Sequence, residues 1–311
     1  MSAGTSASAG VRIAHAGRGG LRRSRPGAVP WLFVAPFLVI FAVFTLLPLV
    51  SSFAMSFTDF RAADVQNPFG VDFVGLQQYQ AVLSNGQFLR SMLNTGYFVL
   101  VGIPLAIVVA LALAVALNNG IKRFRTVYRV GFYIPVVTSI VAVSTGWKFI
   151  LQPNGPLNAA LHVVGIQGPD WLSSTTWAMP AIIVMAVWRN AGTLMVIFLA
   201  GLQAVPLELQ EAAMVDGAGA WRRFWSITLP ILRPTILLGT VLLSVGFLQF
   251  FEEAFVMTGG GPLDSTLSIT YFTYNQFGFG QYGVASAASY ILFAVIAVVS
   301  LIQFRTLRSR D

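Results

Sequence analysis

Residues 211–230 read EAAMVDGAGAWRRFWSITLP, a stretch that is charged, punctuated by glycine and rich in aromatic rings. It stands in a chain of 311 residues of which only 10% are charged, against about a quarter in soluble domains. Long apolar runs lie on both sides of it. The stretch is therefore a watered insert in a polypeptide otherwise solvated by lipid, and the side of the membrane it faces organises the rest of the reading.

Six apolar runs stand out, at 31–53, 93–117, 130–147 with extensions at both ends, 177–204, 235–257 and 284–304. Each approaches or exceeds the ~18 residues that a spanning helix requires, and the mean hydropathy of the chain is +0.74. A spanning run must satisfy its own backbone polar groups, so these runs are expected to be helices and the fold all-α. Pro48, Pro104 and Pro135 fall inside them, which is tolerated where neighbouring helices re-satisfy the freed carbonyls. The first run has a basic flank and a Ser52-Phe53-Ala54 sequence, both of which also fit a secretion signal. Its uncharged length exceeds the ~7–15 residues of a signal core, which favours an uncleaved span. Residues 1–28 are Ser, Ala, Gly and Arg without an apolar period, and read as a disordered basic tail ahead of a transmembrane domain at 29–306.

The charges set the orientation. Fifteen of the nineteen basic residues fall in the tail, in the loop around Lys122, Arg123, Arg125 and Arg129, in the insert with Arg222, Arg223 and Arg233, or at the C-terminus with Arg305, Arg308 and Arg310. By the positive-inside rule that side is the cytoplasm, with both termini on it. The basic excess is thus a topology signal. Nucleic-acid binding would need a basic patch on one folded surface, which the sequence does not provide.

Facing the cytoplasm, the insert reads as two short helices. Pro206 suits a first helical turn, Glu208 and Glu211 place negative charge near the positive end, and Asp216-Gly217 is a stop. A second helix from about 219 to 228 would carry Trp221, Phe224 and Trp225 at i, i+3 and i+4 on one face, ending before Pro230 and Pro234. Such a face has two fates: to lie in the membrane interface or to dock in a groove of a cytoplasmic partner.

The insert resembles the EAA loop of ATP-binding-cassette (ABC) importer permeases. Glu211, Ala212, Ala213, Gly217, Ile227, Leu229 and Pro230 fill every place of that pattern at its spacing. The resemblance implies a polytopic six-helix permease in a bacterial cell membrane, with a coupling helix between spans four and five seated in a cleft of the ATPase subunit. It implies the partners too: a second permease subunit, two ATP-binding-cassette ATPase domains, an extracytoplasmic substrate-binding protein and membrane lipid. The segments TGGGPLDST (258–266), FVGLQQYQAVL (73–83) and QPNGPLN (152–158) resemble the maltose-type carbohydrate branch, whose substrates are di- or oligosaccharides. Glycerol-phosphate-type solutes are the next expectation, and an ion-coupled secondary transporter the competing class.

Catalysis is not expected of this chain. It has no Gly-Lys pair, hence no phosphate-cradling loop; by the resemblance, ATP and Mg belong to the partner ATPases and this chain binds neither. His15 and His162 lie outside any metal-binding pattern, and cysteine is absent. Charges inside spans are costly and face an interior or a watered cavity. That makes Arg189, flanked by Trp188 and Asn190, and the stripe Gln249, Glu252 and Glu253 in span five the candidate substrate path, with mutual neutralisation of Arg189 and a glutamate as the alternative.

Overall fold

A computed structural model describes residues 28–67, 70–120 and 124–308. The expected tail at 1–28, Lys122, Arg123 and Arg310 therefore lie outside the described residues, apart from Ala28. The described chain is all-helical in class, with no strand beyond one isolated bridge between Thr58 and Phe73. It comprises α1 (Ala28–Phe41), α2 (Leu47–Met55), α3 (Gln77–Ser84), α4 (Gly86–Val115), α5 (Arg125–Val137), α6 (Ile140–Ile150), α7 (Pro156–Val163), α8 (Ala178–Gln203), α9 (Leu207–Val215), α10 (Ala220–Arg223), α11 (Leu229–Leu248), α12 (Glu252–Met257), α13 (Ile269–Gly278) and α14 (Tyr282–Arg308). The described residues divide into two compact units between Leu49 and Val50.

In the first unit α1 leads into a π turn at Ala42–Leu46, and α2 carries the chain on into the second unit. The Leu47 N–H bonds the carbonyl five residues back, at Ala42, and Pro48 follows at once. Proline has no N–H, and its ring crowds the carbonyl four residues earlier, so the turn ahead of it widens. The helical run Trp31–Met55, 25 residues long, is apolar enough to cross a membrane.

The second unit is organised around α8, which packs against α4, α5 and α11. Small residues let these helices approach. A Cβ on Gly192 would overlap the Phe132 carbonyl of α5, one on Gly201 would meet Leu232 at 2.8 Å, and one on Gly239 would meet Phe198 at 3.0 Å. In lipid there is little hydrophobic drive between helices, so close contact of this kind supplies the association. Interhelical hydrogen bonds add to it: Gln303 Nε2 donates to Ser244 Oγ at 2.8 Å, joining α14 to α11. Asn94 Nδ2 of α4 donates to the carbonyls of Asp264 and Leu267 at 2.6 and 2.9 Å.

Three of the expected spans are borne out as single helical runs in this unit, at 86–118, 178–203 and 282–305. The run at 130–147 is corrected. Instead of one rod it forms α5 and α6, which meet at 100°. Pro135 removes a rung near the end of α5, the β-branched Val136, Val137 and Thr138 are poor helix formers, and Thr138 is extended at ψ 145. The span expected at 235–257 is corrected as well, because the helix stops at Leu248 and a new one starts at Glu252.

The glycine contacts yield a prediction. Gly192→Ala is expected to destabilise the purified protein by about 1–3 kcal/mol, since the backbone of α5 must yield. Gly246→Ala, with open space around its Cβ, should be neutral or stabilising by up to ~1 kcal/mol. Thermal unfolding in detergent measures both, and equal effects would refute the close-packing account.

Candidate functional site

The insert folds as a helical hairpin. Pro206 caps α9 from just outside it at ψ 131, and Glu208 lies in its first turn. The helix ends as its sequence requires: Asp216 is the last cap, and Gly217 adopts φ +76. Its N–H donates to the Met214 carbonyl at 3.0 Å, and the Ala218 N–H reaches back to Ala213 at 2.8 Å. This pair of bonds closes the carbonyl end of α9 and depends on a left-handed residue, where glycine is unstrained.

The returning arm departs from expectation. Pro230 and Pro234 do not end it, because Ala220 to Leu248 forms one helical run of 29 residues. A π turn at Phe224–Thr228 lets the Leu229 N–H bond the Phe224 carbonyl, and Pro230 then needs no donor. This repeats the device ahead of Pro48. Trp221, Phe224 and Trp225 do share a face: their ring centroids lie 5.5–6.5 Å apart. Gln210 Nε2 donates to Thr228 Oγ1 at 2.9 Å and clasps the two arms.

The hairpin is rooted at one end and open at the other. Thr228 is buried, and Ile227, Leu229 and Pro230 are half-buried among the spans. Glu211, Ala212 and Asp216 are exposed and Ala213 is half-buried. Trp221 is 74% exposed, Trp225 50% and Val215 89%, with Leu207, Leu209 and Met214 also exposed. Exposed apolar side chains thus occur on both arms of the hairpin.

The second group of candidate residues surrounds the break after α11. Gln249 closes α11, Phe251 departs from helix at φ −145, and α12 begins with Glu252 and Glu253. The expected helical stripe is therefore broken. Gln249 and Glu252 are exposed while Glu253 is 7% exposed. The cause is packing: Phe250 turns inward and stacks on Phe98 of α4, with ring centroids 4.0 Å apart. The sequence held a signal for this, since paired acids favour the first turn of a helix over its interior.

Across the break, α12 with Glu253 packs against α8, the helix that carries Arg189. Among the described residues, neither Arg189 Nε nor Glu253 Oε2 has a hydrogen-bond partner. Asn190 is turned onto its own helix, donating to the Ala186 carbonyl at 2.9 Å. Trp188 is half-exposed and meets Trp147 of α6 at 5.7 Å. Trp147 was not singled out from sequence, because only the α5–α6 bend brings it here. The two tryptophans line an open concavity of about 360 Å³. Lys148 Nζ reaches the Val256 carbonyl of α12 at 3.4 Å. A larger groove of about 660 Å³ between α4, α5 and α8 is lined by apolar groups such as Leu105, Val109, Phe132 and Val187. Among the described residues no group of three or more His, Cys, Asp or Glu side chains is placed to hold a metal ion.

Comparison with known proteins adds to this geometry. Residues 75–310 match the family "Binding-protein-dependent transport system inner membrane component". The lactose transport system permease protein LacF of Rhizobium radiobacter is 35% identical over 286 residues, covering 90% of this chain and 94% of that one. The trehalose/maltose transport system permease protein MalF of Thermococcus litoralis is 32% identical, covering 92% and 96%. Among solved structures, a bacterial ABC transporter that imports the acidic polysaccharide alginate superposes with a TM-score of 0.75 at 25% identity, covering 91% of this chain and 96% of that chain.

The clasp provides a local test. Gln210→Ala and Thr228→Val are each expected to cost about 0.5–1.5 kcal/mol of hairpin stability, and the double variant no more than either alone. Amide exchange across residues 207–219 reads the effect, and additive losses would show that the bond is not shared.

Proposed function

The chain belongs to the family of binding-protein-dependent transport system inner membrane components, and on that premise we propose that it is one of two transmembrane subunits of an ATP-driven importer of a di- or oligosaccharide. The hairpin carries the reading. It joins the full EAA pattern to an exposed aromatic face and a rigid left-handed turn, the features a docking element for an ATPase subunit needs. The relatives named for lactose and for trehalose and maltose support the sugar assignment.

In this scheme the hairpin faces the cytoplasm together with both chain ends, as the distribution of basic residues indicates. Two ATPase domains bind and hydrolyse ATP with Mg; a second permease subunit completes the path, and an extracytoplasmic binding protein delivers the sugar. Closure of the ATPase pair moves the hairpin as a rigid body, and the attached spans rock between inward-open and outward-open states. Glu211 offers a charge to the ATPase surface, and Trp221, Phe224 and Trp225 fill its cleft.

The solute passes the break after α11. Discontinuous helices commonly line transport sites, because freed backbone groups there meet cargo or water instead of lipid. Trp188 and Trp147 present ring faces suited to sugar rings, while Gln249, Glu252, Glu253 and Arg189 offer hydroxyl-bonding groups.

Uptake of labelled disaccharides by vesicles holding the whole complex should require both ATP and the binding protein. Uptake that persists without ATP would sink the proposal. Reporters active only outside the cell should work when fused near Asn67, Gly165 or Gly260 and be silent near Asn119 or Gly219.

Gly217 has open space around it, so Gly217→Val acts through backbone strain alone, at roughly 1–2 kcal/mol. Uptake is expected to fall about fivefold or more with the spans still inserted. Glu253→Gln is expected to impair uptake or shift sugar preference while assembly persists; reduced assembly alone would mean that Glu253 serves packing.

A further inference from the structure

The segment joining α12 to α13 lies at the far end of α11 from the hairpin and is tied down along most of its length. Thr258 Oγ1 and Thr266 Oγ1 share a hydrogen bond at 2.7 Å, and Thr266 Oγ1 also reaches the Gly261 carbonyl at 2.9 Å. Asn94 holds the carbonyls of Asp264 and Leu267, and Thr95 Oγ1 accepts the Ile269 N–H at 3.2 Å. Ser265, Thr266, Leu267 and Ser268 are buried. Such anchoring leaves the tip of the segment little freedom.

At that tip the Ser265 N–H donates to the Pro262 carbonyl at 3.0 Å, and the two central residues, Leu263 and Asp264, have φ +50 and +57. This is the pattern of a type I′ turn, which favours Asn, Asp or Gly at its centre. Asp264 fits the preference, and its carboxylate accepts Gln87 Nε2 at 3.2 Å on both oxygens. Leu263 does not fit. It is 87% exposed and sits in a backbone conformation that its branched side chain disfavours. Nothing among the described residues accounts for a leucine there.

We propose that Leu263 is a preformed knob onto which the sugar-loaded binding protein docks through an apolar pocket in its surface. The inference rests on the importer reading above, which puts this end of the bundle outside the cell. Three observations favour that partner. Asp264 stands next to the knob, bonded to Gln87 at the start of α4, and exposed Arg90 lies one turn further along that helix, so the surroundings are aqueous and not hydrocarbon. The turn is already fixed, so little freedom is lost when a partner closes on it. Finally, the family is defined by dependence on a binding protein.

The test uses the assembled importer in lipid nanodiscs and its own binding protein loaded with sugar. Leu263→Gly suits the turn better than leucine, so the melting temperature and yield of the complex should equal or exceed the parent's. Affinity for the loaded binding protein should nevertheless fall about tenfold or more, the effect of losing one buried leucine side chain. Leu263→Met should stay within about threefold of the parent. Unchanged affinity in Leu263→Gly would overturn the proposal. Loss of the second permease subunit from the Leu263→Gly complex would overturn it too, by showing that the knob packs between subunits. If the importer reading itself were wrong, the parent complex would show no binding-protein-dependent uptake, whatever occupies position 263.

Discussion

A helix in hydrocarbon can be interrupted only where its freed N–H and carbonyl groups find other partners. That constraint explains the irregular features of this chain. Pro48 and Pro230 are each preceded by a π turn that takes up the lost rung. The bend between α5 and α6 falls where Pro135 and three β-branched residues weaken the helix, and the Thr138 hydroxyl bonds the Ile134 carbonyl there at 2.8 Å. The break after α11 is filled by Phe250 against Phe98. Each interruption is local, and the bend after α5 and the break after α11 reposition Trp147 and Glu253, which the functional reading uses.

The same constraint separates the two candidate regions by character. The exposed hairpin leaves tryptophan, valine and leucine side chains open to solvent. The break lies among packed helices. There Glu253 is buried beside exposed Gln249 and Glu252, and Arg189 and Glu253 keep atoms without hydrogen-bond partners among the described residues. Orphaned polar atoms in a packed site suit a solute that supplies the missing bonds only in passing.

Much of this was legible in the sequence, for reasons that differ from element to element. Long apolar runs announce helices because lipid permits little else, and three of the runs in the second unit persist as single helical runs. Gly217 was legible because α9 needs a left-handed residue to end, and the Glu208 to Gly217 spacing measures the length of that helix. The shared face of Trp221, Phe224 and Trp225 followed from helical period alone. What the sequence concealed were effects of proline and of distant packing. Pro230 reads as a terminator until the widened turn ahead of it is seen. The polar stripe through Gln249 assumed a continuous helix, and only the position of Phe98, some 150 residues earlier, shows why it stops. Trp147 was hidden in the same way, since its approach to Trp188 requires the 100° bend.

The unbroken course from Ala220 to Leu248 has a mechanical consequence. Twenty-nine residues at 1.5 Å each make a strut about 43 Å long, with the aromatic cluster near one tip and the Phe250 joint just past the other. Pivoting such a strut by about 10° at its middle sweeps each tip through roughly 4 Å, in opposite directions. Force applied at Trp221 therefore reaches the neighbourhood of Gln249 through one piece of backbone, without relay through side-chain contacts. The strut's one change of helical pitch is the π turn at Phe224–Thr228, where Gln210 of the other arm bonds Thr228 Oγ1.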